Sequence, residues 1–265
     1  MPVSAPRSDT SWLSLPTGGL GRVTALFVAL LILGHATAAA QARNADPPTI
    51  GAVIKELPVD LWRFISWDTA IVLGAGGGAA LVGHTWDDDL AGEIETNVRL
   101  NDAMAPGHTY GAFAVQAFMG VGLYAGGWFA KNEGLAITGA DIIRAQVLSQ
   151  VYVQALKFTV QRERPDESNT QSFPSGHSAT AFATASVLQR HYGWKAGVPA
   201  TVVAAYVATA RVHDNKHYLS DVIFGAAMGI AAERTVTLNA GRYGITVAPT
   251  VGGGRVGMIA AVRPR

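Results

Sequence analysis

Six long apolar segments run through most of this chain, and they constrain its fold more than any other feature. Polar or Gly/Pro breaks separate them, and each is longer than a typical β-strand. The segments cover residues 68–84, 108–130, 139–162, 176–191, 195–210 and 218–233. This succession predicts an all-α fold, a six-helix bundle, in a chain of 265 residues that needs only one domain. A shorter amphipathic helix is predicted over residues 53–65.

The composition favours closely packed helices or membrane contact. Apolar residues make up 49% and charged residues 15%, and the last five segments are rich in Ala and Gly, which let helix backbones approach each other. The net charge is +1, so no polybasic surface is available and nucleic acid is not an expected partner. The chain has no cysteine, which excludes disulfides, thiolate chemistry and cysteine-ligated metals.

Residues 1–42 have the pattern of a cleaved secretory signal. Basic residues precede an apolar run over 23–34, and A-x-A sites end at Ala40 and Ala42. An uncleaved anchor helix is the alternative, but an apolar run of 12 residues is short for a bilayer span. We therefore expect this segment to be removed and the chain to be exported.

The rest of the chain divides into three parts. Residues 43–67 are a lead-in with the short amphipathic helix, and residues 68–234 form the helical domain. Residues 235–265 form a C-terminal extension that is rich in β-branched residues. Within it, the runs 243–251 and 255–262 are separated by glycines, and this pattern predicts a short β-hairpin.

Polar residues recur along the third apolar segment at steps of three or four, so that they share one helix face. They are Gln146, Gln150, Gln154, Lys157 and Gln161. Apolar residues flank them on both sides. A polar face that narrow is expected to line a buried polar cavity rather than open solvent.

Two motifs supply groups that bind anions. Lys157 and Arg164 lie seven residues apart, which places two cations on one helix face where they can neutralise a phosphate. Residues 174–177, Pro-Ser-Gly-His, precede a helix, so the amides from Ser175 onward lie at a helix N-terminus, where Gly176 permits close approach. The alternatives are two solvated surface charges and an ordinary N-cap beside a histidine.

A third motif supplies a candidate nucleophile. His217 and Asp221 are four residues apart, so on a helix the carboxylate can hold one imidazole nitrogen and leave the other free to attack phosphorus. Arg211 adds a planar donor fork suited to phosphate oxygens. A surface ion pair is the alternative for the His/Asp pair.

Together and in this order, the three motifs resemble the signature of the type 2 phosphatidic acid phosphatase and vanadium haloperoxidase superfamily, which includes secreted bacterial acid phosphatases. The resemblance covers residues 157–221. It implies a helical bundle of that family's type and a metal-independent phosphatase. In such an enzyme His217 attacks the phosphoryl group, Asp221 orients it, and His177 protonates the leaving alcohol and then activates water.

The resemblance also implies a phosphate cage. Its members are Lys157, Arg164, Arg211 and the backbone of Ser175 and Gly176. No cofactor is implied, and vanadate is expected to inhibit. The family usually has serine before the arginine of the third motif, where this chain has Ala210, so one hydroxyl contact is missing.

The predicted function is hydrolysis of phosphate monoesters or lipid phosphates through a phosphohistidine, with a membrane lipid among the candidate substrates. Two alternatives stay open. One is a vanadium-dependent haloperoxidase, with vanadate as cofactor in the same pocket, and the other is a non-catalytic envelope protein that binds anionic lipid. No oligomeric state is predicted.

Two further clusters give metal binding as a minor alternative. Residues 87–89, three aspartates, have ligands for a divalent cation, and His213 with His217 has the spacing of a zinc pair. A helix cap or a solvated loop explains the acidic run more simply. Structural or exposed roles are expected for the histidines near segment ends, which are His84, His108 and His191.

Two cues to membrane topology conflict. If all six segments spanned a bilayer, the positive-inside rule would place the motifs outside, whereas a cleaved signal followed by three spans would place them inside. The conflict disappears if the segments pack as a soluble or peripherally attached bundle, and several of them are short or carry charges. We therefore expect a periplasmic or cell-envelope protein, soluble or peripheral rather than integral, that can still associate with a membrane.

Overall fold

The computed structural model describes residues 47–95, 101–238, 243–252 and 255–264. The predicted signal sequence, residues 1–42, lies outside the described residues.

The described chain folds into a helical bundle followed by two strands. The helices are α1 (Ile50–Phe64), α2 (Trp67–His84), α3 (Asp87–Glu95), α4 (Asn101–Tyr110), α5 (Phe113–Phe129), α6 (Glu133–Val160), α7 (Gly176–Tyr192), α8 (Trp194–His213) and α9 (Leu219–Leu238). The strands β1 (Tyr243–Gly252) and β2 (Arg255–Pro264) pair antiparallel, from Tyr243 opposite Pro264 to Gly252 opposite Arg255. The prediction of an all-α bundle is confirmed.

Side-chain caps explain where several helices begin. Thr49 and Ser66 accept hydrogen bonds from backbone amides three residues ahead, at 3.3 Å each, and α1 and α2 follow them. Asn132 caps α6 in the same way at 3.1 Å, and Ser175 caps α7 at 3.3 Å. Each of these side-chain oxygens satisfies an amide that has no partner inside its own helix.

The second predicted segment is divided between two helices. α4 ends at Tyr110, α5 begins at Phe113, and their axes differ by 55°. Gly111 lies at the break, where a Cβ atom would be 2.3 Å from a Val207 side-chain carbon and 3.2 Å from the His177 ring. Only glycine fits where the chain passes this close to α7 and α8.

Residues 235–238 were predicted in the β-rich extension, and this boundary is wrong because they continue α9. The Thr235 and Thr237 hydroxyls donate to the carbonyls of Ala231 and Glu233 at 2.9 and 3.0 Å, and Val236 is fully buried. Burial against the bundle outweighs the weak helix propensity of β-branched residues.

Small residues let α7 and α9 pack backbone to backbone in the centre of the bundle. A Cβ atom at Gly225 would lie 2.4 Å from the Ser175 carbonyl oxygen, and one at Gly229 would lie 2.2 Å from that of Ala179. The Ala/Gly-rich composition therefore sets the spacing between the two helices that begin at the candidate site.

The polar face of α6 is only partly buried, which corrects the predicted stripe. Gln146 and Lys157 are buried and Gln150 is half-buried, but Gln154 and Gln161 are exposed. A step of four residues overshoots one full turn by about 40°, so two such steps carry Gln154 off the buried face. Gln146 and Lys157 remain near the same side.

Large apolar side chains are exposed on several helices. Trp62, Ile65 and Trp67 are exposed around the α1–α2 junction, and Phe118 and Phe129 are exposed on α5. Among the described helices, none is by itself both long and apolar enough to cross a bilayer, whereas two pairs meet these requirements jointly: α1 with α2, bent by 63°, and α4 with α5. Exposed apolar side chains of this size are typical of surfaces that contact a membrane or another apolar partner.

Candidate active site

Four helix ends and two loops bring the predicted motifs together. Lys157 lies in the last turn of α6 and Arg211 in the last turn of α8. Ser175 caps α7, and Asp221 lies in the first turn of α9. The N-termini of α7 and α9 direct the positive ends of their dipoles into this region, which favours an anion there.

His217 is buried, and its Nδ1 atom lies 2.6 Å from the carbonyl oxygen of Ser172. Because a carbonyl only accepts, Nδ1 carries the proton and Nε2 keeps its lone pair. Burial lowers the pKa of His217 to about 4, and the Lys157 ammonium contributes in the same direction. The imidazole is therefore neutral and nucleophilic at neutral pH.

Asp221 does not hold His217 directly as predicted. Its nearest carboxylate oxygen is 3.8 Å from His217 Nδ1, which is too long for a hydrogen bond. That oxygen accepts instead from the Ser172 hydroxyl at 2.5 Å and from the Tyr218 amide at 2.9 Å. Ser172 thus stands between carboxylate and imidazole. Sequence reasoning missed it because no spacing rule relates it to either motif.

Arg162 is a second residue that the sequence reasoning missed. Its guanidinium donates to Asp221 Oδ1 at 2.8 Å, to Ser220 Oγ at 2.7 Å and to Asp87 Oδ2 at 2.9 Å. Burial raises the pKa of Asp221, but His217, Arg162 and Ser172 outweigh burial and hold it below its ordinary value. The carboxylate is therefore ionised. The only sequence signal for Arg162 is its position inside the first motif.

His177 lies at the first turn of α7, and its Nε2 atom is buried without a hydrogen-bond partner in the described part of the chain. Its ring stacks on that of His108, with centroids 5.3 Å apart. Burial, followed by the charge of Arg211, lowers the pKa of His177 to about 3. Its unpartnered nitrogen is free to exchange a proton with a ligand.

His108 was expected to be structural or exposed, and it is exposed, but it also contacts the site. Its Nδ1 atom lies 2.6 Å from a terminal nitrogen of Arg211. A guanidinium only donates, so this imidazole nitrogen accepts. A lone histidine near a segment end gives no sequence signal for such a contact.

The predicted cations surround the two histidines. The Lys157 ammonium donates to the Gln171 carbonyl, and burial together with the nearby Arg164 lowers its pKa to about 8. The Nε–H groups of Arg164 and Arg211 are buried with no hydrogen-bond partner among the described residues. Buried donors without partners are costly, and a bound anion would satisfy them.

The backbone part of the predicted cage is smaller than expected. The Ser175 amide donates to the Asp221 carbonyl at 3.0 Å, and the Ser175 hydroxyl accepts from the Ser178 amide. Ser175 is thus a structural cap that ties α7 to α9. The amides of Gly176 and His177 follow it at the start of the helix, where N–H groups have no partner inside the helix.

The alternative metal sites gain no support from the described residues. Asp87 is buried and its oxygens accept from Arg162 and Ser220, whereas Asp88 and Asp89 are exposed. No group of three or more His, Asp or Glu side chains within the described ranges has an arrangement that suits a metal ion.

Comparison with known proteins relates this site to one family. Residues 134–242 match the family model described as PAP2 superfamily. The chain is 42% identical over 81 residues to a lipid A 1-phosphatase of Porphyromonas gingivalis, and 33% identical over 64 residues to a lipid A 4'-phosphatase of Helicobacter pylori. These matches cover 29% and 24% of this chain, and the chain spans only 18% and 32% of the length of the two relatives.

A solved structure shows the same fold. It is that of a transmembrane PAP2-type phosphatidylglycerolphosphate phosphatase from Bacillus subtilis, with a TM-score of 0.50 and 24% sequence identity. The superposition covers 68% of this chain and 94% of the other.

Proposed function

We propose that this chain, which residues 134–242 assign to the PAP2 superfamily, is a phosphatase that removes phosphate from a lipid through a phosphohistidine on His217. One observation carries the proposal. A buried imidazole with its Nδ1–H anchored on a carbonyl lies among unpartnered guanidinium donors, so it combines a nucleophile with a place for the phosphate oxygens.

In the first step, Nε2 of His217 attacks phosphorus and the bond from phosphorus to the leaving oxygen breaks. The electron pair stays on that oxygen, which takes a proton from His177. Without a bound anion, burial and Arg211 hold the pKa of His177 near 3. A phosphate dianion beside the ring offsets the charge of Arg211 and raises that pKa, which favours protonation of His177 when substrate is bound.

In the second step, the neutral His177 takes a proton from water as the water oxygen attacks the phosphohistidine. The bond between phosphorus and Nε2 breaks, its electrons return to His217, and inorganic phosphate leaves. Lys157, Arg164 and Arg211 stabilise the equatorial oxygens in both steps. Before substrate binds, the Nε–H groups of the two arginines have no hydrogen-bond partner among the described residues, and the Lys157 side chain is buried.

The proposed substrate is a lipid phosphate in the cell envelope. The two curated relatives are named as lipid A phosphatases and the solved structure as a phosphatidylglycerolphosphate phosphatase. Exposed apolar side chains on α1, α2 and α5 support attachment to a membrane, where such a lipid is presented. With the predicted signal sequence, this favours an exported protein attached to the envelope membrane.

A substrate panel tests the proposal. The mature protein in detergent micelles would be given lipid A, phosphatidylglycerolphosphate, phosphatidic acid and a soluble aryl phosphate, with phosphate release as the readout. We expect vanadate-sensitive release from at least one lipid, and none from a His217→Ala variant. Absence of release from every substrate would overturn the proposal, and bromide oxidation with added vanadate would instead support the haloperoxidase alternative.

A further inference from the structure

We propose that Asp87 and Arg162 are a positioning pair for the nucleophile: Asp87 fixes Arg162, Arg162 fixes Asp221, and through Ser172 this series of contacts ends on the His217 imidazole. The inference rests on the proposed phosphatase function. It assigns a role in that reaction to α3, which lies outside residues 134–242 that match the family.

Asp87 has more partners than a helix cap requires. It is the first residue of α3, it is buried, and its Oδ1 accepts from the Ser220 amide at 3.0 Å. Its Oδ2 accepts from Ser220 Oγ at 2.6 Å and from Arg162 at 2.9 Å, and it lies 2.7 Å from Nδ1 of His84. Both oxygens are therefore committed to residues of other segments, in contrast to the exposed carboxylate of Asp88 next to it.

Arg162 cannot shift without moving Asp221. One terminal nitrogen donates to Asp221 Oδ1 at 2.8 Å, the other to Asp87, and the guanidinium carbon lies 4.1 Å from the centre of the Tyr218 ring. Two charged hydrogen bonds and the stacked ring hold the planar group in a single orientation. The fork is therefore a rigid link between the carboxylates.

The contact with Arg162 determines which oxygen of Asp221 faces Ser172, the residue that contacts the nucleophile. Because Arg162 occupies Oδ1, only Oδ2 is directed to the Ser172 hydroxyl, and the Ser172 carbonyl holds Nδ1 of His217. Of the charges in this link, the negative charge of Asp221 acts on the imidazole and opposes the effect of burial on the pKa of His217. That charge favours the cationic ring that forms as His217 attacks phosphorus.

Asp87 acts on the rate and not on phosphate binding. A carboxylate repels a phosphate, so Asp87 is not a ligand of the substrate, and both of its oxygens contact protein groups. Its loss should therefore lower kcat with little change in KM. A residue needed only for folding would instead reduce the fraction of active protein and would leave the hydrogen bond of His217 unchanged. The two roles thus differ in measurable ways.

The test uses the mature protein with four variants: Asp87→Asn, Arg162→Lys, the double variant, and the control Asp88→Asn. Kinetics are measured on an aryl phosphate and a lipid phosphate, and the Nδ1–H signal of His217 is followed by NMR after ¹⁵N-histidine labelling, with His217→Asn for assignment. We expect Asp87→Asn and Arg162→Lys each to lower kcat about tenfold to a hundredfold, with KM changed less than about twofold and the Nδ1–H signal shifted. The double variant should lose little more than the worse single variant, because the two residues act as one unit.

The inference fails if Asp87→Asn matches Asp88→Asn in kcat, or if the Nδ1–H signal is the same in both. If Asp87→Asn does not fold, Arg162→Lys, which keeps the charge, decides by the same criteria. If the wild-type protein hydrolyses none of the probes, the proposed function is wrong. The NMR signal then still decides whether the pair positions His217, because it does not depend on turnover.

Discussion

The imidazole of His217 is held by Ser172: its Nδ1–H donates to the Ser172 carbonyl at 2.6 Å, while the Ser172 hydroxyl donates to Asp221 at 2.5 Å. The main chain of Ser172 therefore fixes the tautomer of the nucleophile, and its side chain relays the position of the carboxylate. Variants of the two partners separate these contributions.

Asp221→Asn should lower kcat by roughly 10² to 10⁴ while the protein stays folded, by analogy with the loss when a carboxylate that orients a histidine is neutralised. The amide nitrogen of the new asparagine is itself a donor, so it would face a donor of Ser172, Tyr218 or Arg162 and that hydrogen bond would be lost. Ser172→Ala keeps the carbonyl that holds His217 and should cost only about tenfold. Steady-state kinetics on one aryl phosphate checks both. A loss in Ser172→Ala as large as that in Asp221→Asn would show that the carbonyl alone does not fix the ring.

Replacement of each of the two active-site histidines should impair the reaction in a different way. His217→Ala should abolish turnover and any trapped phosphoenzyme, because it removes the atom that bonds to phosphorus. His177→Ala should be slow on alkyl phosphates but partly rescued by an aryl phosphate whose leaving group needs little protonation. Rapid quenching with radiolabelled substrate, followed by alkaline digestion, measures the phosphohistidine. Label that persists in His217→Ala would assign the nucleophile elsewhere.

In the pH profile of kcat/KM, His217 should contribute an acid limb near 4 and Lys157 an alkaline limb near 8. Below about 4 the buried His217 is protonated and loses its lone pair, and above about 8 Lys157 loses the charge that binds phosphate, since burial lowers the pKa of both. In Lys157→Arg the cation persists at higher pH, so the alkaline limb should move upward. The exposed Lys195 provides the matched control, Lys195→Arg, whose profile should equal that of the wild type. An alkaline limb that stays in place in Lys157→Arg would assign it to another group.

Activity should survive chelation and be inhibited by vanadate. The cations proposed for the phosphate cage are the side chains of Lys157, Arg164 and Arg211, and vanadate mimics the five-coordinate phosphorus that they stabilise. Phosphate release would be measured with EDTA and across a vanadate titration. Turnover that EDTA abolishes and a divalent metal restores would point back to the three aspartates at 87–89.

The exported protein should begin directly after Ala40 or Ala42, and it should sediment with membranes. Mass spectrometry of the exported protein locates the new N-terminus, and retention of Met1 or Pro2 would show that the signal is not cleaved. Mild detergent should release the protein where high salt does not, because exposed apolar side chains such as Trp62 and Phe129 make the contact. Recovery in the salt-soluble fraction would contradict this attachment.

The sequence predicts local features of the site better than contacts between distant segments. The helix starts near Ser175 and Asp221 follow from local spacing and capping, so the N-terminal ends of α7 and α9 were placed correctly. Arg162 and Asp87 are 75 positions apart, and only packing brings α3 against the start of α9. The exposure of Gln154 differed from prediction for a simpler reason, because steps of four residues do not match a helical period of about 3.6.

Gly111 packs against the ring of His177, and His108 stacks on the same ring, so the end of α4 and the break that follows it form the wall beside the proposed proton donor. This segment lies outside residues 134–242, which contribute Lys157, the three site arginines and the nucleophile. In the proposed reaction, the residues that bind phosphate and this wall beside the proton donor thus lie in separate stretches of the chain. If the proposed reaction is correct, exchange of this segment between relatives would be an evolutionary route to a new leaving-group preference, with Lys157, the arginines and the nucleophile unchanged.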